Sequence, residues 1–169
     1  MSHEHELYAD LLTLLRDMLN HYRRLLELSQ REREGVSAAS LPTLLDITTQ
    51  KETIVLELSI MEEGRQLILR RLAEQFGVAT TDLTLAQLSQ YAPEPFADAF
   101  QRCRADLLDL IHAVSQVNAR NTVLLNSSLN AARTSLGLLS QLLEPAPIYG
   151  NSGHMGMSGA GGRLLHKQV

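Results

Sequence analysis

The sequence predicts an all-α protein: an antiparallel bundle of three long helices with coiled-coil-like packing, one short extra helix, and a disordered glycine-rich C-terminal tail. Three observations carry that expectation. Leucine supplies most of the apolar mass while aromatics make up only 4% and tryptophan is absent, which suits helix packing better than a β-sandwich. Apolar residues recur at helical spacing through most of the chain up to Leu143. The interruptions of that spacing coincide with glycine or proline. At 169 residues the chain is long enough for one domain with a real core.

The first helix is expected from about Glu4 to Glu34, with Tyr8, Leu11, Leu15, Met18, Tyr22 and Leu25 in one seam and Leu12, Leu19 and Leu26 widening it. A seam that wide fits three or more helices better than a two-stranded coil. Past Leu28 the seam turns polar at Ser29 and Glu32, which predicts an exposed end, and Gly35 to Ser40 breaks the pattern. A second helix starts after Ser40, a fitting N-cap, with Pro42 in the first turn where its missing N–H costs nothing. It runs to about Phe76 and stops at Gly77, with Leu44, Ile47, Ile54, Leu58, Met61, Ile68 and Leu72 inward. Leu85 to Tyr91 reads as a two-turn helix capped by Thr84.

The last helix begins near Pro95 and ends at Leu143, before Pro145 and Pro147. From Cys103 through Leu107, Leu110, Val114, Val117, Asn121, Leu124, Ser128, Ala131, Ser135 and Leu138 to Leu142 its 4,3 spacing is unbroken. Beside this seam lies another: Leu125, Leu129, Ala132, Leu136, Leu139 and Leu143. The two are roughly a quarter turn apart at about 100° per residue. One is expected inside the bundle and the other to await a partner. The 23 residues between Arg120 and Glu144 carry one charge, Arg133. Residues 1–144 are therefore read as the helical domain and 145–169 as a tail that cannot offset its own ordering entropy.

Composition narrows the function classes. A net charge of −4 argues against a general nucleic-acid or membrane-surface binder, and Arg23-Arg24, Arg31 to Arg33 and Arg70-Arg71 lie among glutamates as solvated helix faces do. The single cysteine permits neither an internal disulfide nor a cysteine-rich zinc site, and Cys103 reads as a small buried hydrophobe. No apolar leader or span is evident, so the protein is expected in the cytoplasm without membrane insertion. Di-metal carboxylate chemistry needs inward glutamates and paired Glu-x-x-His on facing helices, whereas Asp109-x-x-His112 is a single copy off the seam. With no nucleophile–base pair and no phosphate loop, neither an enzyme nor a cofactor is expected. Asn121 sits on the seam, where a polar residue fixes register or bonds a partner's backbone. Tyr149 stands alone at the root of the tail, as anchors of short linear motifs do.

These residues resemble the FlgN family of flagellar export chaperones. Lys51-Glu52 followed by Glu62 and Arg65, then Asn118-Ala119-Arg120-Asn121 leading into Leu124-Leu125, then Tyr149-Gly150 with Gly153, are similar to that family's elements in the same order. The resemblance implies a chaperone that binds the C-terminal region of hook–filament junction (hook-associated) proteins, prevents their premature assembly and delivers them to the flagellar type III export gate. It places client contacts on Asn118, Asn121, Leu125, Leu129, Ala132, Leu136, Leu139 and Leu143. It places docking on the membrane export gate, transiently at the inner membrane, at Tyr149 and Gly150. A self-associating structural coiled coil without a client is the alternative, and the same stripe would suit a homodimer.

Overall fold

The structure, a computed structural model, describes residues 3–79 and 83–143. Tyr149, Gly150 and the rest of the expected tail lie outside the described residues, as do the side chains of Leu142 and Leu143. Among the described residues the chain is all-helical: α1 (His3–Ser37), α2 (Leu41–Phe76), α3 (Leu85–Tyr91) and α4 (Phe96–Leu143). It divides into two compact units, Met1–Asn130 and Ala131–Val169, and α4 is continuous through the boundary.

In the first unit α1 and α2 form an antiparallel hairpin. α1 continues through Gly35, where the sequence pattern suggested a break. A Cβ at Gly35 would meet Leu44 at 3.1 Å, so the missing side chain lets the corner close. Ala39 completes the turn at φ 51°, and Ser40 donates its N–H to the Gly35 carbonyl at 3.1 Å. Ser40 is the N-cap with Pro42 in the first turn, although its hydroxyl pairs with Thr43 Oγ1 at 2.7 Å and not with a backbone N–H. Gly77 ends α2 in the left-handed conformation (φ 66°), which glycine adopts without strain. Thr84 and Gln87 cap α3 reciprocally.

The antiparallel register is fixed by His21 Nε2 against Glu57 Oε2 at 3.0 Å and Lys51 against Glu32. α4 runs parallel to α1, since Tyr8 packs near Phe96 and Phe100 while Ser29 bonds Asn118. The core takes Leu11, Leu15, Met18 and Leu19 from α1, Ile47, Ile54, Leu58, Leu69 and Leu72 from α2, and Phe100, Cys103, Leu107 and Val114 from α4. Leu44, Met61 and Ile68, expected inward, are only half-buried, while Leu69 and Ala73 take core places. Within the second unit the described residues, 131–143, are the end of α4.

Candidate functional site

Five polar side chains meet where α1, α2 and α4 come to one level. Asn121 Nδ2 donates to the Ser29 carbonyl at 2.6 Å and to Glu32 Oε2 at 2.8 Å. Lys51 Nζ donates to the same Glu32 oxygen at 2.8 Å and to Asn118 Oδ1 at 3.2 Å. Ser29 Oγ donates to Asn118 Oδ1 at 3.0 Å. Both neighbours of the Asn121 nitrogen are pure acceptors, which sets the amide's orientation and leaves its Oδ1 buried without a partner. An unmet buried donor or acceptor costs about 1–3 kcal/mol, so the bonds made by the other groups of the cluster offset the one left open at Asn121 Oδ1.

This cluster corrects one expectation and takes up the amides of two residues expected at the client contact. The end of α1 is not exposed: Ser29 and Val36 are buried and Glu32 is half-buried, because α2 and α4 supply their partners. Asn118 and Asn121, expected among the client contacts, spend their amides on α1 and α2, and Asn121 is only 2% exposed. Ser29 and Glu32 were the missed members. The signal for them was the seam of α1 turning polar, which needed matching to the asparagine on the seam of α4.

Past Asn121 the burial of α4 ends. Leu124 and Leu125 are half-buried, and every residue from Asn126 to Gln141 is exposed. Leu129, Leu136 and Leu139 are 54%, 64% and 53% exposed. Leu138, assigned by its spacing to the bundle seam, is 57% exposed, and Ser128, Ala131 and Ser135 are exposed with it. The first seam is therefore covered up to Asn121 and not, as expected, along the stretch where the second seam runs beside it; from Asn126 to Gln141 both face solvent. A helical stretch with leucines on two adjacent seams and, past Arg120, a single arginine is suited to gripping another amphipathic helix through i, i+3/i+4, i+7 anchors.

Elsewhere in the first unit, Arg65 Nε donates to Glu62 Oε2 at 2.7 Å with a further Nη2 bond, and this holds the Glu62 carboxyl below its usual range. Burial, with Glu62 nearby, pushes the Tyr22 hydroxyl up. Burial likewise raises the Cys103 thiol. Asp109 and His112 are exposed, and His112 pairs with Gln116 at 2.7 Å. Among the described residues no three His, Cys, Asp or Glu side chains gather as metal ligands, and no helix is long and apolar enough to cross a membrane.

A bundle braced by an internal polar clasp, with a long helix whose leucines past Asn126 are exposed among the described residues, defines the class as a helical scaffold. The family model described as FlgN protein matches residues 1–156, and the chain belongs to the FlgN family of flagellar export chaperones, a family that binds flagellar hook-associated proteins. No curated protein and no solved structure was found to match it.

Proposed function

We propose that the chain holds the C-terminal region of a hook–filament junction protein on the exposed leucines of α4, prevents its premature assembly in the cytoplasm, and carries it to the flagellar type III export gate. The observation that carries this reading is the run of exposed leucines at 129, 136, 138 and 139 on a stretch of α4 whose one charge past Arg120 is Arg133. Leu125, Ala132 and Leu143 extend the same contact line, while Asn118 and Asn121 hold its base in register. A junction subunit that polymerises through helical termini needs such a line to cover it, and a pocket would not serve. Tyr149 and Gly150 dock on the membrane export gate while the client stays bound.

Co-purification with junction proteins tests the first part. Leu136→Glu and Leu139→Glu should leave the melting temperature unchanged and abolish client capture; retained capture refutes the stripe. Tyr149→Ala should keep capture and lose swimming. A chain that forms one tight oligomer by concentration-dependent light scattering and captures no junction protein belongs to the self-associating class instead.

A further inference from the structure

A second surface lies in the first unit and shares no residue with the α4 stripe. α2 from Glu62 to Arg70 and α4 from Arg104 to Ile111 wall a groove of about 590 Å³, closed at the back by Met18 and Tyr22 of α1. Its floor is apolar and firm, since Leu69, Leu83 and Leu107 are all buried. One wall leaves Leu108 (51% exposed) and Ile111 (44%) facing out at i, i+3, a spacing that two facing side chains of a helix can match. The volume falls within the about 300–1,000 Å³ of ordinary binding clefts; the α4 wall is mostly aliphatic (Leu107, Leu108, Ile111), while the α2 wall sets Leu69 among Glu62, Arg65, Gln66 and Arg70.

The rim chooses the occupant by charge. Arg65 is neutralised by Glu62, whereas Arg70 and Arg104 are exposed and have no ion-pair partner among the described residues. Two apolar segments of the chain itself bring no acid to them. The apolar end Arg163 to Lys167 is itself basic, and the leucine stripe between Arg120 and Glu144 carries only Arg133. A nucleic acid would satisfy the arginines and leave the leucine floor wet. We propose that this groove receives an amphipathic helix of a partner protein, with an apolar ridge at i, i+3/i+4, i+7 flanked by Asp or Glu. The ridge fills the floor between Leu69 and Leu107, and the flanking carboxylates meet Arg70 on α2 and Arg104 on α4.

Two synthetic helical peptides with the same leucine ridge, one flanked by Glu and one by Lys, test this against the full chain by fluorescence anisotropy. The Glu peptide should bind the wild type about tenfold more tightly than the Lys peptide, the sum expected from reversing two rim pairs near a protein surface. Arg70→Glu/Arg104→Glu, two exposed changes that leave the fold intact, should invert the preference. Equal binding of both peptides, binding of neither, or an unchanged preference in the double variant overturns the assignment. Self-association of the wild type that the double variant abolishes would give the groove to a second copy, and also overturns it. None of these outcomes bears on client capture by α4.

Discussion

Replacing Lys51 with methionine removes the cation from the clasp that joins the three long helices. The Lys51 and Glu32 side chains are 18% and 14% exposed and lie 2.8 Å apart. Stripping one partner from a buried ion pair costs about 3–5 kcal/mol, because the other charge is left desolvated. Here Glu32 keeps its bond from Asn121 at 2.8 Å and retains some access to water, which lowers the expected cost to about 2 kcal/mol. For a domain of this size that is a fall in Tm of roughly 5–10 °C. Arg102→Met is the control. Its pair with Asp98 spans 3.4 Å between side chains 78% and 60% exposed, and such a pair contributes under about 0.5 kcal/mol. Urea unfolding followed by circular dichroism separates the two. Lys51→Met/Glu32→Met should be no less stable than Lys51→Met alone, since the desolvated carboxylate is gone. A Lys51→Met variant that unfolds with the Arg102→Met variant would refute the clasp and make Lys51 a solvated surface lysine.

Leu107→Glu should cost several kcal/mol by burying an unpaired charge, whereas Leu136→Glu and Leu138→Glu should stay within about 0.5 kcal/mol of wild type; thermal melts decide, and a Leu138→Glu melt resembling Leu107→Glu would restore a covered first seam. Glu62 has a folded pKa below its unfolded value, so its contribution is present above the ordinary carboxylate range and is lost as pH falls through the lowered value; Arg65→Met should flatten that acid limb of unfolding stability against pH. Cys103, buried with its thiol pushed up, should react with a thiol reagent at pH 8 far more slowly in the folded protein than in urea. In hydrogen exchange, amides from Asn126 to Gln141 should exchange much faster than those from Cys103 to Val117 in the free protein, and slow when a junction protein is added.

The helix boundaries were legible because their signals are local: Gly77 in the left-handed conformation, the Thr84–Gln87 capping box and Pro42 in a first turn each act on neighbouring backbone. Gly35 misled for the converse reason. Its role is a close approach to Leu44, nine residues on across a corner, and a single strand of sequence carries no sign of that. The polar end of α1 misled in the same way. Ser29 and Glu32 look solvent-facing until Lys51 and Asn121, each far off in sequence, are brought to them by the hairpin and by α4. Asn121 on the seam could be read as a register residue, but its bonding partners could not.

The 4,3 spacing of α4 shows most plainly what periodicity reports. It runs without interruption from Cys103 to Leu142, yet burial stops at Asn121, because spacing states which residues share a face and not whether anything covers that face. The composition past that point is a poor one for a helix standing on its own merits: Asn126, Ser127, Ser128, Asn130, Thr134 and Gly137 all have lower helix propensity than alanine. No described residue from Asn126 to Gln141 is buried to compensate, and most helical stability in proteins comes from packing of an amphipathic face. A leucine seam kept in strict register on a stretch of α4 with no buried residue makes sense under the proposed function, in which the missing cover arrives with a partner. The partner's apolar face then contributes what the bundle withholds, and part of the binding energy is spent ordering the helix, which keeps affinity moderate for the area covered. Moderate affinity on a long contact line is the workable arrangement under the proposed hand-over of a client at an export gate, and Asn121 marks the last fully buried residue of α4 among those described.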